Sequence, residues 1–285
     1  MSSIPQRYLD STLAIGERGA WSEIHWMGTG FLLGWPITPL SPLYDAFLVT
    51  NRHVLEEHEA VVIRFNLVEP RESIDFEVSL SAGETSTATF HSDREIDVAV
   101  VKLDDSVLAS SRIQIQAFIS NRDVFSLRGG SRELREGSSI FVLGYPLGLV
   151  SEQGQFAICR GGCIARIRDF YAGQSSDFLI DAAAFRGNSG GPVLATLPMY
   201  SGLVVALVGI VYSNVLYREA AINPQTNEPR IMYEQNSGLA KVVPIDCVAD
   251  CIQENLNNGV PFAALNPIAS VKAVIKRSVA NGGRV

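Results

Sequence analysis

Two short apolar runs flank a glycine-rich loop in the segment FLIDAAAFRGNSGGPVLAT, residues 178–196. The runs FLIDAAA (178–184) and PVLAT (192–196) have the length and composition of β-strands bounded by turn residues. In the loop between them, three glycines surround one serine, Ser189. Glycine adopts backbone conformations that are closed to other residues and lets the backbone approach a ligand closely. The segment therefore predicts two strands joined by a tight loop.

Short β-branched runs of the same kind fill most of the remaining chain. Examples are TGFLLGW (29–35), DAFLVTN (45–51), AVVIRFNLV (60–68), DVAVVKL (97–103), SIFVLGYP (139–146), FAICRGGCIARI (156–167) and ALVGIVYSN (206–214). Such a density of short strands, with few helical periods between them, is typical of sandwiches or barrels rather than of βαβ units. The strands fall into two clusters, about 21–105 and 135–243, with a polar connector at 110–136. We therefore predict an all-β fold of two small barrels.

A helix is predicted after the second cluster. Val248, Ile252 and Leu256 recur at a spacing of four, which gives one amphipathic stripe over 245–256, and Asp246 is placed to cap it. The main domain, 1–257, would then end with this helix. For the tail, 258–285, we predict at most one further short helix, at 268–275.

Composition limits the classes of partner. Of the 285 residues, 47% are hydrophobic and 19% charged, so the chain can bury a sizeable core. The net charge of −7 and the lack of any lysine or arginine run argue against nucleic acid or an anionic membrane as a partner. The N-terminal stretch lacks the pattern of a secretory signal, and the longest apolar run, 203–211, is too short to span a bilayer. These features favour a cytoplasmic location.

Four cysteines form two pairs, Cys159 with Cys163 and Cys247 with Cys251. In a reducing compartment we expect free thiols that pack as small hydrophobic side chains. A site of four thiolates for zinc is the alternative, but the spacing within each pair is looser than in the usual structural zinc sites. We predict no metal and no cofactor.

Ser189 is the candidate nucleophile. A carbonyl carbon attacked by its hydroxyl would place negative charge on the carbonyl oxygen, and converging amides of Gly187, Asn188 and Ser189, chiefly the first and last, could stabilise that charge. The alternative is a glycine-rich hairpin in which the serine merely suits a turn. Serine also needs a base.

His53 and Asp97 are the candidate partners of this serine. His53 follows the run FLVTNR at the edge of a strand, whereas His25, His58 and His91 lack a comparable context. Asp97 is an acid at the head of an apolar strand, where an unpaired carboxylate would be costly, so we expect it to pair with the imidazole and orient it.

The order of these residues excludes a rival. The pattern Gly187-x-Ser189-x-Gly191 also fits the nucleophile elbow of α/β-hydrolases, in which the histidine comes last. No histidine follows Ser189. In subtilisin the order is Asp, His, Ser. That order would require an acid shortly before His53, such as Asp45, together with a parallel sheet, and the sequence shows no pattern of a parallel sheet.

These motifs together resemble those of trypsin-like serine proteases. The resemblance covers about 25–257 and is strongest to the bacterial HtrA/Deg branch. It rests on TNRHV (50–54), IDVAVVKL (96–103), GYPLG (144–148), DAAAFRGNSGGPVL (181–194) and SGLAKVVP (237–244). It implies two six-stranded antiparallel β-barrels, with the site in the cleft between them and a C-terminal α-helix packed against both.

The chain departs from the family's pattern at two points. Asn188 stands where the digestive enzymes have the aspartate that pairs with a newly cut N-terminus, so activation of that kind is not expected. The HtrA branch usually carries PDZ modules, and the tail at 258–285 is too short for one.

The resemblance also implies a substrate pocket. Ala183, six residues before the serine, would lie at its base, with Phe185 beside it, and the strand Val211-Tyr212-Ser213 would form one wall and pair with the substrate backbone. An uncharged base argues against basic residues, so we predict cleavage after small or medium apolar residues. Tyr212 could instead block the pocket.

The sequence therefore predicts a serine endopeptidase that acts on polypeptides through an acyl-enzyme. The alternative is a catalytically silent protein that uses the protease fold for binding or as a scaffold. The activity of a stand-alone protease must be controlled, and a regulatory protein partner is one candidate for this control.

Overall fold

The structure is a computed structural model of the chain. It describes residues 4–38, 41–67, 72–82, 85–103, 113–129, 132–151, 154–199, 202–223, 225–226 and 229–256. The predicted short helix at 268–275 lies outside the described residues, as does the rest of the tail.

The first half of the chain forms one antiparallel sheet in the order β5-β4-β1-β2-β3-β9-β8, and β10 adds to β2 in parallel. Its strands are β1 (Thr12–Arg18), β2 (Ile24–Pro36), β3 (Tyr44–Thr50), β4 (Ala60–Asn66), β5 (Ser73–Ser79), β8 (Ala88–Phe90), β9 (Ala99–Lys102) and β10 (Phe118–Ile119). A small hairpin of β6 (Ser81–Ala82) and β7 (Thr85–Ser86) lies between β5 and β8.

The second half forms a closed antiparallel barrel in the order β11-β12-β13-β16-β15-β14. Its strands are β11 (Ser139–Gly144), β12 (Ile158–Arg166), β13 (Phe178–Asp181), β14 (Pro192–Met199), β15 (Gly202–Ile222) and β16 (Pro229–Pro244). The apolar runs on either side of the serine loop become β13 and β14, as predicted. The all-β class with two barrel-like units is therefore confirmed.

The first unit differs from the expected six-stranded barrel in two respects. It includes β1, which starts at Thr12 and so precedes the predicted boundary near residue 21. Its described strands also leave β5 and β8 as the two ends of the hydrogen-bonded order, whereas the second unit closes on itself. The pattern of short apolar runs predicts strands but contains no information about which edges meet.

Among the described residues, the helices are short except for the last one. They are α1 (Gln6–Asp10), α2 (Arg52–Leu55), α3 (Arg168–Tyr171) and α4 (Ile245–Leu256). The predicted helix at 245–256 is confirmed as α4, and its apolar stripe packs into the seam between the two units. Val248 and Ile252 share one buried cluster with Val49 of β3 and Leu194 of β14. The helix therefore holds the two units against each other.

The connector is not a free polar linker. Phe118, Val124 and Phe125 are almost completely buried, β10 joins the first sheet, and the Phe125 amide donates to the carbonyl of Leu207 in β15 (2.9 Å). Apolar side chains spaced irregularly among polar ones do not give a periodic signal, which is why the sequence pattern misses this packing.

Asp246 anchors the connector rather than capping its own helix. Its buried carboxylate accepts hydrogen bonds from the Ser126 hydroxyl, from the Leu127 amide (2.9 Å) and from the Arg128 amide (3.3 Å). The predicted capping role is wrong, because the helix already begins at Ile245 and the Asp246 carboxylate bonds to the connector instead.

Candidate active site

Asp97 holds His53 by two hydrogen bonds. The His53 Nδ1 lies 2.6 Å from Asp97 Oδ2, and the His53 backbone amide donates to Asp97 Oδ1 at 3.1 Å. One carboxylate oxygen thus fixes the backbone at the start of α2, and the other receives the Nδ1 proton of the ring. With its proton on Nδ1, the neutral imidazole keeps a free lone pair on Nε2. This is the state that a general base requires.

Asn51 holds the backbone of Asp97 in place. It is completely buried, and its Nδ2 donates to the Asp97 carbonyl at 2.7 Å. The loop that carries Asp97 into β9 is thereby tied to the end of β3, two residues before the histidine. The sequence analysis missed Asn51, although an amide side chain beside an apolar strand was a possible signal for a buried hydrogen bond.

The serine loop fits its surroundings only with glycine at two positions. Gly187 and Gly190 have φ angles of +93° and +83°. A Cβ on Gly187 would lie 2.4 Å from the Tyr145 carbonyl oxygen, and one on Gly190 would lie 2.0 Å from the Thr29 carbonyl oxygen. Both positions therefore need glycine for conformation and for space. The loop is held in one shape.

Thr29 of β2 joins the two units at the serine loop. Its amide donates to the Ser189 carbonyl (2.8 Å) and its hydroxyl donates to the Gly187 carbonyl (2.6 Å). The same hydroxyl oxygen accepts from the Tyr145 amide (3.0 Å). The side chain is completely buried, so these hydrogen bonds are shielded from water. Sequence reasoning did not identify Thr29, because its partners lie far along the chain.

The same contacts bring the serine loop against the segment that carries His53. A Cβ on Gly190 would lie 3.1 Å from the Cα of Thr50, which is three residues before the histidine. The hydroxyl of Thr50 donates to the Thr29 carbonyl at 2.7 Å. The segments that carry His53 and Asp97 in the first unit and Ser189 in the second therefore lie side by side at one seam.

Two amides of the serine loop are available to an oxyanion. Among the hydrogen bonds of the described residues, neither the Gly187 amide nor the Ser189 amide has an acceptor. The Asn188 amide, which the sequence analysis included, instead donates to the Phe185 carbonyl at 2.9 Å. Asn188 is therefore not free for this role, because the tight turn uses its N–H.

A neighbouring turn orients the Gly187 amide. The Arg186 carbonyl accepts a hydrogen bond of 2.6 Å from the amide of Leu147, which lies in the 3-10 turn Pro146–Gly148 and has a φ of +59°. The N–H and C=O of one trans peptide point in opposite directions. The amide of Gly187 consequently points away from that turn, which fits a role in binding an oxyanion.

A cavity of about 270 Å³ lies beside the serine. It is lined by Phe185, Arg186, Ser189, Val211, Tyr212, Ser213, Asn214 and Leu216. Four of the five predicted pocket residues are among them, but Ala183 is not, and Arg186, Asn214 and Leu216 were not predicted. The resemblance located the strand correctly, whereas the exact lining depends on how the loop and β15 pack.

Tyr212 is fixed at the wall of this cavity. Its hydroxyl donates to a carboxylate oxygen of Asp177. Burial, together with this carboxylate, raises the pKa of the phenol well above its ordinary value, so it stays protonated. The ring thus lines the cavity in a defined position.

The cysteines do not come together in one site. Cys159 and Cys163 lie on β12, whereas Cys247 and Cys251 are buried on α4. Burial raises the pKa of each thiol on α4 to about 12, so both remain neutral thiols. This arrangement does not fit a site of four thiolates.

Cys247 does lie near two other residues of metal-binding type, His91 and Asp250, with ligand atoms within 4.8 Å of one another. The Arg128 guanidinium already contacts two members of this group, because it bonds to the Asp250 carboxylate and lies 3.3 Å from the Cys247 sulfur. The Asp93 amide donates to His91 Nδ1 (3.1 Å), so the neutral ring carries its proton on Nε2. A cation would meet a positive charge and a protonated nitrogen, and the group does not fit a metal site.

Comparison with known proteins identifies relatives of known family. The chain is 28% identical over 170 residues to a probable periplasmic serine endoprotease DegP-like from Rhizobium meliloti, and 29% identical over 171 residues to one of the same name from Brucella suis. Each match covers 59% of this chain and 26% of the relative. The chain thus spans about a quarter of the relatives' length.

The cytoplasmic location expected from the sequence is contradicted by these relatives, which are named as periplasmic. Export signals are processing segments separate from the folded domain. The expectation rested on the absence of such a segment, which is a weak basis for locating a domain. In the described part of the chain, none of the helices has the length and apolarity needed to cross a bilayer.

Solved structures agree on the fold. Human heparin binding protein superposes with a TM-score of 0.51 at 13% identity, covering 91% of this chain and 97% of that one. A mutant of the same protein gives a TM-score of 0.51 at 12% identity, with coverages of 90% and 96%. At such low identity the likeness concerns the fold alone.

A family model decides the membership. The model described as "Trypsin-like peptidase domain" matches residues 28–206, more than half of the chain. The match includes the segments that carry His53, Asp97 and Ser189. Together with the DegP-like relatives, it supports the class of serine-protease hydrolases. The chain belongs to the family of trypsin-like peptidase domains.

Proposed function

We propose that this protein is a serine endopeptidase in which Ser189 is the nucleophile, His53 the general base and acid, and Asp97 the group that orients the imidazole. The observation that carries the proposal is the pair of hydrogen bonds that the Asp97 carboxylate accepts from the backbone amide and the ring of His53. This pair fixes the tautomer that leaves Nε2 free to accept a proton.

The reaction follows from these roles. Ser189 Oγ attacks the carbonyl carbon of the scissile bond while His53 Nε2 takes its proton, and the carbonyl π electrons move to the oxygen. The amides of Gly187 and Ser189 stabilise this oxyanion. Collapse of the intermediate breaks the C–N bond, and the imidazolium gives its proton to the leaving amine. Water then hydrolyses the acyl-enzyme by the same steps with the same base.

The strand edge beside the serine supports binding of an extended polypeptide. β14 pairs with β15 as far as Ile210, and Gly190 and Gly191 occupy the edge at Val211. Beyond Val211, the described part of the chain places no strand on that edge. A substrate strand can pair there with the backbone around Ser213, antiparallel to β15 like the strand it follows.

The cavity supports a preference for small or medium apolar residues before the cut. None of its lining residues is acidic, so a lysine or arginine side chain would find no counter-charge there. Arg186 would repel such a side chain further. Comparison of kcat/KM for a peptide with valine before the scissile bond and for its arginine analogue tests this preference. Equal values would contradict it.

The experiment for the proposed activity uses a fluorophosphonate probe, which reacts only with an activated serine. We expect labelling of the wild type and of Ser139→Ala, a control at an exposed serine, but not of Ser189→Ala or His53→Ala. Protein that is folded but unlabelled would contradict the proposal and favour the alternative, a silent binding protein. Labelling that persists in Ser189→Ala would show that another serine reacts.

A further inference from the structure

A second cavity lies between the connector and the segment that contains α3. Its volume is about 420 Å³, compared with about 270 Å³ for the cavity beside the serine. The two cavities have no described lining residue in common, and a volume of this size is typical of sites for small molecules. The proposed peptidase reaction makes no use of it. Its lining consists of Leu127, Arg128, Arg132, Phe170, Tyr171, Gly173, Ser175 and Ser176.

Hydrogen bonds fix both walls of this cavity. On the connector side, the Leu127 amide donates to the buried Asp246 carboxylate of α4 at 2.9 Å. On the other side, the Glu136 carboxylate accepts from the amides of Ile167 (3.2 Å) and Arg168 (3.3 Å), where α3 begins. A ligand would therefore meet a largely pre-formed site, as most small-molecule ligands do.

The guanidinium of Arg132 is held at the wall of the cavity. Its Nη2 donates to the Tyr171 carbonyl at 3.3 Å, and its carbon lies 5.7 Å from the centre of the Tyr171 ring. A guanidinium carries five N–H donors, so one bond to a carbonyl leaves others for a ligand. Arg132 can therefore bind an anionic group without first losing these two contacts.

The charges on the lining are positive. Among the described residues that line the cavity, two are arginines and none is acidic. Arg128 is already bonded to the Asp250 carboxylate, and Glu136 lies 3.2 Å from the Nε of Arg168. Arg132 is thus the lining residue that can offer its charge to a ligand, although the chain as a whole carries a net charge of −7.

The rest of the lining is mainly apolar. Leu127 and the rings of Phe170 and Tyr171, whose centres are 5.8 Å apart, supply this surface. The Ser175 hydroxyl donates to the Asp177 carboxylate (2.7 Å) within its own turn. An inorganic anion would leave the apolar surface in water, whereas a purely apolar ligand would not use the guanidinium. The lining fits a ligand that has both features.

We propose that this cavity is a binding site for a small organic anion, with its carboxylate on Arg132 and its apolar body against Leu127 and Phe170. The inference goes beyond the proposed function and does not depend on it, because none of the lining residues takes part in the peptidase reaction. A neutral molecule of the same shape would lose the charge-assisted hydrogen bond, which is stronger than a neutral one.

The test uses 2-naphthoate as the probe, with 2-naphthamide as its neutral analogue and inorganic phosphate as an anion without an apolar body. In calorimetric titrations of the wild type, we expect one molecule of 2-naphthoate to bind per chain, with a Kd about tenfold lower than that of either control. Equal Kd values for the acid and the amide, or no binding of the acid at millimolar concentrations, would overturn the proposal.

Three arginine variants locate the bound probe. Arg132→Gln should raise the Kd of 2-naphthoate about tenfold, whereas Arg135→Gln, at an exposed arginine outside the lining, should leave it unchanged. Arg186→Gln removes the arginine of the cavity beside the serine and should also leave it unchanged. A Kd that rises with Arg186→Gln instead of Arg132→Gln would place the probe in the substrate cavity and contradict the proposal.

A charge introduced into the cavity gives an independent test. Ser176 is exposed, so the fold should tolerate Ser176→Glu, and the new carboxylate should weaken binding of 2-naphthoate about tenfold by repulsion. Ser139→Glu adds the same charge at an exposed position outside the lining and should have no effect. Equal Kd values for these two variants would overturn the site. A wild type that binds the probe but cleaves no peptide would contradict the proposed function and support this one.

Discussion

Asp97→Asn is the sharpest test of the site, because it keeps the shape of the side chain and changes only which atoms can accept a hydrogen bond. The His53 backbone amide can only donate, and it lies 3.1 Å from one carboxylate oxygen. The amide oxygen of the new side chain must therefore take that position. Its NH₂ group then faces His53 Nδ1, where the native carboxylate oxygen lies at 2.6 Å.

This arrangement reverses the tautomer of the imidazole. Nδ1 becomes an acceptor and the ring proton moves to Nε2, so the ring cannot take the proton of Ser189. If the amide were rotated by 180°, its NH₂ group would face the His53 backbone N–H, and leaving these two donors without acceptors would cost about 1–3 kcal/mol. The imidazolium formed in the reaction also loses a charge-assisted hydrogen bond, which contributes about 1.5–3 kcal/mol.

The two effects together raise the barrier by about 2.5–6 kcal/mol, which corresponds to a fall in kcat of roughly 10²- to 10⁴-fold. The assay is kcat on a valine-containing peptide, with the melting temperature measured alongside. Asp45→Asn removes the same charge at the pair with Lys102 and serves as the control with kcat unchanged. A folded Asp97→Asn variant with more than a tenth of wild-type kcat would refute the assigned role.

Three further predictions concern the packing around the site. Gly190→Ala should lower the free energy of unfolding in urea by at least about 2 kcal/mol more than Gly137→Ala. Both glycines have a left-handed φ, but only at Gly190 would the added Cβ lie 2.0 Å from a carbonyl oxygen of β2. Equal losses would contradict the steric argument. Asp246→Ala should lower the free energy of unfolding by about 3 kcal/mol, because three donors of the connector lose their acceptor. A decrease below about 1 kcal/mol would mean that other contacts hold the connector. Burial raises the pKa of Cys247 and Cys251 from 9.0 to about 12, so above pH 9 the unfolded chain releases these protons first and stability should fall as the pH rises toward 12. Replacing both cysteines by alanine should flatten that fall, and an unchanged slope would show that other groups cause it.

Much of the candidate site could be predicted from the sequence because its signals are local. Glycines around a serine, a histidine at the end of an apolar run and an aspartate at the start of another can each be recognised within about ten residues. The order of the three then excluded other hydrolase classes. The role of Asn188 and the base of the pocket were predicted less well. Each depends on which peptide groups the folded loop has already used.

The sequence by itself determined the all-β class, the strands on either side of the serine loop, the C-terminal helix and the candidate chemistry, since strand periodicity and chain order are properties of the linear chain. Only the tertiary structure decided that Thr29 holds Gly187, 158 positions away, and that, among the hydrogen bonds of the described residues, the Asn188 amide has an acceptor whereas the Gly187 and Ser189 amides have none. The reason is physical. Hydrogen bonds and packing between distant segments depend on how two separately formed sheets meet, and no local pattern of residues encodes that meeting.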